Sequence, residues 1–123
     1  MIGIDIVSIK RFEKFLEKKT ALQKYLSDEE ILLITSSQTA AGFFASKEAI
    51  SKALGTGIGK ECAFKDIIIH KDPQGAPYFT LSKSIIETYN IVDTSLSISH
   101  DNGFAIAVAV IQKEKRPLHL LSH

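Results

Sequence analysis

The sequence predicts an α+β fold: one domain, a largely antiparallel sheet packed around a long central helix. Three observations carry this. Residues 42–59 read as a long helix closed by a glycine-rich turn. Two pairs of strand-like segments are joined by tight connections, at Asp72-Pro73-Gln74-Gly75 and Asp101-Asn102-Gly103. The other helical segments are set apart from these hairpins instead of alternating with single strands.

In chain order, residues 2–8 form the first strand. Ile2, Ile4 and Ile6 point to one face, Gly3, Asp5 and Val7 to the other. Apolar residues on both faces predict an inner strand. Asp5 is out of character there, because a carboxylate is expensive to bury unpaired. It is either a surface residue at a strand end, a carboxylate hydrogen-bonded to a nearby turn, or a metal-binding or catalytic carboxylate. Ser8 suits an N-cap for a helix over about 9–19, with Ile9, Phe12, Phe15 and Leu16 as its core stripe. Lys10, Arg11, Lys14, Lys18 and Lys19 outnumber Glu13 and Glu17 on it. That basic face is either solvated or a docking surface for an acidic macromolecule.

Ser27-Asp28-Glu29-Glu30 fits a capping box, Ser27 as N-cap and Glu30 at N3, opening a short helix to about Ile34. The long helix runs from about Gln38 to Leu54. Phe43, Lys47, Ile50 and Leu54 share one of its stripes, while Glu48 and Lys52 lie one turn apart on a neighbouring one. A pair such as Glu48–Lys52 is commonly a solvated i,i+4 contact. Gly55 suits a helix C-terminus, and Gly57 and Gly59 follow it. Strands are expected at Phe64–His70 and Ala76–Leu81, a short helix from Ser82 to about Tyr89, and strands at Thr94–Ser99 and Phe104–Ile111. The last strand carries Ala105, Ala107 and Ala109 on one face, which lets another element, most simply the long helix, approach closely. The tail from about 112, with Pro117 and His119, is expected to be a loose end or an oligomer contact.

The 123 residues suit a single domain spanning 1–123. A net charge of +1 and few strand aromatics argue against a nucleic-acid partner. No apolar run approaches the roughly 18 residues of a membrane span, and Ile2-Gly3-Ile4-Asp5 does not open a signal peptide, so a cytoplasmic protein is expected. Cys62 is the single cysteine, which leaves no intrachain disulfide. With no metal-ligand spacing around it, Cys62 reads as an inert thiol. His70, His119 and His123 have no motif support and read as surface residues.

Asp5, Glu48 with Lys52, the loop Gly55-Thr56-Gly57-Ile58-Gly59, and Ser97-Ile98-Ser99-His100 need one explanation. Two carboxylates from different elements can share a Mg²⁺ and leave positions for water and phosphate oxygens. A lysine beside them adds a positive charge, and glycines let backbone N–H groups approach a phosphate. This is equipment for phosphoryl transfer, yet the Walker A order is absent, and the glycines end a helix where a dinucleotide fingerprint would start one.

Read as motifs, the pieces are Gly3-Ile4-Asp5-Ile6-Val7 with Arg11 behind it, Phe44-Ala45-Ser46-Lys47-Glu48-Ala49 leading to Lys52-Ala53-Leu54-Gly55-Thr56-Gly57, Gly75-Ala76-Pro77-Tyr78, and Ser97-Ile98-Ser99-His100. In this order and spacing they resemble the bacterial holo-[acyl-carrier-protein] synthases, small 4′-phosphopantetheinyl transferases, from Ile2 to about Ile111. The resemblance implies that coenzyme A (CoA) donates its 4′-phosphopantetheine arm to a serine of apo acyl carrier protein, releasing 3′,5′-ADP, in fatty acid biosynthesis. It implies Asp5 and Glu48 as Mg²⁺ ligands and Asp5, Glu48 and Lys52 as catalytic residues. Glu48, or a metal-bound water held by it, would take the serine proton. Lys47, Lys52, Gly55, Thr56, Gly57, Pro77, Ser99 and His100 would line CoA, and Lys10, Arg11 and Lys14 would meet the carrier. It further implies a homotrimer with active sites between protomers.

One position departs from the pattern. Where many members carry an arginine before the motif's Phe, this chain has Phe43. Either another cation such as Lys47 substitutes, or CoA is held more weakly at its nucleotide end. The alternative function is a non-catalytic module that binds CoA or a nucleotide, or docks a carrier without modifying it.

Overall fold

A computed structural model describes residues 1–114. Strands β1 (Ile2–Ser8), β4 (Ile91–Asp101) and β5 (Phe104–Lys113) form an antiparallel sheet in the order β1-β5-β4. A separate antiparallel hairpin pairs β2 (Ile67–Lys71) with β3 (Pro77–Leu81). The helices are α1 (Lys19–Leu22), α2 (Asp28–Ile31), α3 (Ser37–Leu54) and α4 (Lys83–Tyr89). The α+β architecture and both expected hairpins are present, and β5 runs two residues beyond the expected Ile111. The rest of the expected tail, from 115 on, lies outside the described residues.

Helix α3 organises the domain because its buried surface is nearly continuous. Ala45, Ala49 and Ala53 recur every fourth residue and are buried, as are Ala105, Ala107 and Ala109 of β5. Small side chains on both sides allow a short distance between helix and sheet. At Gly3 of β1 the approach is closest: a methyl group there would overlap the Ala49 carbonyl oxygen and stand 2.6 Å from the Ala53 nitrogen. No residue but glycine fits without displacing β1 from α3. The opposite stripe of the helix, Phe43, Lys47, Ile50 and Leu54, is also buried. Ser36 caps the start by accepting a hydrogen bond from the Thr39 N–H. Gly55, at φ 84°, ends the helix in the left-handed region.

The expected strand Phe64–His70 begins only at Ile67, because Phe64–Asp66 form a 3₁₀ turn, and α2 stops at Ile31 short of the expected Ile34. Two larger expectations also fail. Residues 9–19 do not form one helix. Two 3₁₀ turns, Ile9–Phe12 and Lys14–Glu17, precede α1, and Ser8 makes no side-chain cap. The apolar residues Ile9, Phe12 and Phe15 recur every third position, which is the 3₁₀ period. Phe12 is fully buried, whereas Leu16, which fits only a 3.6-residue period, is left exposed. Strand β1 is an edge strand of the sheet, not an inner one. Its Gly3-Asp5-Val7 face meets α3, and Ile2, Ile4 and Ile6 are 71%, 58% and 57% exposed. They line up across the register with Val110, Val108 and Ile106 of β5, and the row continues to Ser95, Ser97 and Ser99 of β4.

Candidate active site

Because Gly3 brings β1 against α3, Asp5, two residues on and on the same face, comes to the flank of the helix that carries Glu48 and Lys52. The Lys52 ammonium donates to Asp5 Oδ1 at 2.8 Å and to the Ile4 carbonyl at 3.3 Å. Lys52 is half-exposed and the Asp5 side chain largely covered. Glu48 stands in the same group. Burial and, secondarily, the Asp5 charge push its carboxyl above the ordinary range, against the pull of Lys52 and Arg11. Two mutually repelling carboxylates on facing elements, next to a cation, form a donor set that suits a hard divalent ion. No cluster of three or more His, Cys, Asp or Glu side chains that could hold a metal occurs among the described residues. An ion held by Asp5 and Glu48 would have further coordination positions to fill from outside this pair.

Arg11 borders this group. Its guanidinium lies over the Phe44 ring at 4.9 Å and over Phe12 at 5.4 Å, inside a cluster of Phe12, Phe15, Tyr25, Phe44 and Phe64. The Tyr25 hydroxyl is locked by donating to the Ala40 carbonyl at 2.9 Å. Lys10 and Lys14 are exposed on the two 3₁₀ turns, so the basic face survives although the expected helix does not.

The glycine loop is committed to helix capping. The Gly55 N–H donates to Lys52, and the Thr56 and Gly57 N–H groups both donate to the Ser51 carbonyl. These N–H groups are therefore turned back on the helix, not outward to an anion as expected. What the loop can offer a ligand is the small surface of its glycines, the Gly57 carbonyl already accepting from the Thr56 hydroxyl at 2.8 Å.

Lys47 does not join the site. Its ammonium has no exposed surface and is held by Glu30 Oε1 at 2.8 Å and the Phe64 carbonyl at 3.1 Å. It therefore cannot supply the cation that Phe43 omits, and Phe43 itself is buried. Sequence reasoning read Glu30 only as a capping-box residue. That role is present, Glu30 Oε1 accepting the Ser27 N–H and the Ser27 hydroxyl accepting the Glu30 N–H. The available signal for a buried partner was a lysine inside an otherwise apolar stripe.

Ser99 and His100 lie on β4, the edge of the sheet opposite β1. The His100 ring bonds through Nε2 to the Gln38 carbonyl at 3.1 Å, at the first turn of α3. Gly42 lies beneath it, close to Ile98 and His100. Ser99 and His100 are thus separated from Asp5 by β5. Pro77 opens β3, in the second hairpin. The cleft of about 260 Å³ between β3, α4 and β4, lined by residues such as Phe79, Ile86 and Val92, contains none of the residues expected to act. No helix among the described residues is long and apolar enough to cross a membrane.

Comparison with known proteins places the chain in a family. The sequence model of the 4′-phosphopantetheinyl transferase superfamily matches residues 1–109. The holo-[acyl-carrier-protein] synthase of Nautilia profundicola is 56% identical over 92% of this chain and 100% of its own length. That of Helicobacter pylori is 56% identical over 90% and 96%. The crystal structure of the Helicobacter pylori synthase in complex with coenzyme A superposes with a TM-score of 0.86, covering 91% of this chain and 100% of that one. A Bacillus anthracis holo-(acyl-carrier-protein) synthase in complex with CoA (3′,5′-ADP), 37% identical, matches at 0.77 over 92% and 96%. The chain belongs to the 4′-phosphopantetheinyl transferase superfamily, among its holo-[acyl-carrier-protein] synthases.

Proposed function

We propose that this chain transfers the 4′-phosphopantetheine arm of CoA to a serine of apo acyl carrier protein, with Asp5, Glu48 and Lys52 at the reacting centre. The observation that carries the reading is the meeting of these three side chains where Gly3 presses β1 against α3. Asp5 and Glu48 would hold Mg²⁺. When bound, the ion would offset charge on the pyrophosphate and on the departing 3′,5′-ADP. Glu48, its carboxyl raised by burial, is suited to accept the serine proton. The serine Oγ bonds to the phosphorus bearing the pantetheine arm. The bond from that phosphorus to the bridging oxygen breaks, and its electron pair leaves with 3′,5′-ADP. Lys52, half-exposed and on the same face, turns from Asp5 to the developing phosphate charge.

Lys10, Arg11 and Lys14 would dock the acidic carrier, as their exposed positions beside the site favour. Ser99, His100 and Pro77 would contact the nucleotide end of CoA, and Gly55–Gly57 the length of the arm. A homotrimer is the assembly that suits two features at once. The exposed Ile2, Ile4, Ile6, Phe104 and Val110 need covering, and a neighbouring copy would bring its Asp5–Glu48 edge to the Ser99–His100 edge, which β5 separates from the copy's own Asp5.

The test is direct. The protein is incubated with CoA, Mg²⁺ and apo acyl carrier protein, and the carrier is weighed. A gain of one phosphopantetheine is expected. CoA binding by calorimetry with an unmodified carrier would overturn the reading in favour of a non-catalytic module.

A further inference from the structure

The contact that brings the reacting groups together is made of small residues, and this creates a problem of register. Ala45, Ala49 and Ala53 against Gly3 and the β5 alanines allow close approach. They offer no large knob to stop α3 from sliding or rolling. A roll of a few tens of degrees would carry Glu48 and Lys52 away from Asp5 while leaving alanine against alanine.

On the far side of the helix stands a directional contact. Lys47 and Glu30 are both completely buried, 2.8 Å apart. The Lys47 ammonium also donates to the Phe64 carbonyl. Glu30 Oε1 accepts the Ser27 N–H, and Glu30 Oε2 accepts the Ile69 N–H at 2.9 Å. This junction joins α3, the N-terminus of α2, the segment after the glycine loop, and β2. No buried side-chain nitrogen or oxygen among the described residues lacks a partner. A buried ion pair contributes little net stability against well-packed apolar residues, but its strict geometry can select one arrangement among several.

We infer that the buried Lys47–Glu30 pair is the register lock of α3, a positioning device that sets the helix's roll and height so that Glu48 and Lys52 meet Asp5. Lys47 is the residue immediately before Glu48, so any roll it prevents is transmitted to Glu48 undiminished. The inference rests on the proposed reaction for its kinetic readout only.

The experiment separates register from stability. Glu30→Gln/Lys47→Met replaces the charged pair by neutral groups and leaves an amide oxygen able to accept one of the two backbone N–H groups that the carboxylate serves. Compared with Lys47→Met alone, which strands the Glu30 carboxylate, the double variant should regain melting temperature. It should nevertheless keep a kcat lowered by about tenfold or more, the scale on which small misplacements act, with the KM for the carrier unchanged. The nuclear Overhauser contact between the Gly3 Hα and the Ala53 amide proton should weaken in parallel. A double variant with wild-type kcat and an intact Gly3–Ala53 contact overturns the inference. Should that variant fail to fold, Glu30→Gln alone is read in the same way. If the wild type itself transfers nothing, the proposed function fails, and the Gly3–Ala53 contact decides the lock by itself.

Discussion

The Lys52 ammonium lies 2.8 Å from Asp5 Oδ1, a contact between residues 47 positions apart that joins the first strand to the last turn of α3. Because Lys52 is half-exposed, solvent weakens this pair, and its value to stability is small, about 0–1 kcal/mol. Its value to function is the position of two groups. Asp5→Ala and Lys52→Ala should therefore each reduce transfer by about 10²-fold or more while the melting curve moves little. Carrier mass and circular dichroism on the same samples check this. Near-normal turnover in Asp5→Ala would remove that carboxylate from the reacting centre.

Gly3→Ala tests the contact behind that geometry. The added methyl has no room against the Ala49 carbonyl oxygen, and backbone cannot swing aside as a long side chain can. Overpacking of this kind costs about 1–3 kcal/mol. Separation of β1 from α3 also carries Asp5 away from Glu48. We expect a lowered urea midpoint together with a fall in transfer larger than the stability loss explains. A folded Gly3→Ala protein with full activity would show that the close approach is not what aligns the site.

How much of this was legible depends on the kind of signal. The capping box at Ser27, the left-handed Gly55 and the Asn102-Gly103 turn are local chemistry, and each appears where it was expected. The alanine face of β5 was legible because its period of two is unambiguous. The region 9–19 misled because periods of 3.0 and 3.6 differ by under one residue per turn, and only the exposure of Leu16 separates them. Lys47 misled for a different reason. A charged residue in an active-site motif reads as a ligand contact, and its partner Glu30 is 17 positions away, where no local pattern reveals it. The inner-strand reading of β1 failed because apolar residues on both faces do not fix a strand's place in the sheet: β1 is an edge strand whose Ile2-Ile4-Ile6 face is exposed.

Stability should fall in alkali. Cys62 is fully buried, and burial, aided by the Asp66 charge, pushes its thiol from the ordinary 9.0 up to about 11. The folded state thus holds a proton that the unfolded chain releases. The contribution is fully present below pH 9 and is lost as pH rises to about 11, at most about 3 kcal/mol. Tyr25, raised mainly by burial, pulls in the same direction at still higher pH. Urea titrations from pH 8 to 11 should show the decline in the wild type and a shallower one in Cys62→Ala. Equal slopes would acquit the thiol.

The basic residues near the site should separate by role. Lys10 and Lys14 are exposed, so Lys10→Ala and Lys14→Ala should raise the carrier KM several-fold, leave kcat nearly unchanged, and reduce the sensitivity to salt. Arg11 lies over Phe44 and lowers the Glu48 carboxyl, so Arg11→Ala should raise KM and lower kcat together. Steady-state kinetics at two ionic strengths distinguish these outcomes. A pure KM effect in Arg11→Ala would confine it to docking.

The two halves of the proposed site lie on opposite edges of one sheet, Asp5 on β1 and His100 on β4 with β5 between them. In the proposed trimer the β4 edge of one copy would lie beside the β1 edge of the next. Complementation follows from that geometry. Glu48→Ala and His100→Ala should each be nearly inactive alone. Unfolded together in equal amounts and refolded, they should recover about a quarter of wild-type activity, since random assembly pairs an intact Glu48 with an intact neighbouring His100 at that frequency. Charge placed on the exposed sheet face should abolish the recovery: Ile4→Glu, at a side chain 58% exposed in the protomer, should leave the fold intact and shift sedimentation to the monomer. Mixed variants as inactive as their parents, in a protein that still sediments as a trimer, would place His100 and Glu48 in the same protomer's site or His100 outside it. A wild type that sediments as a monomer at full activity would remove the shared site altogether.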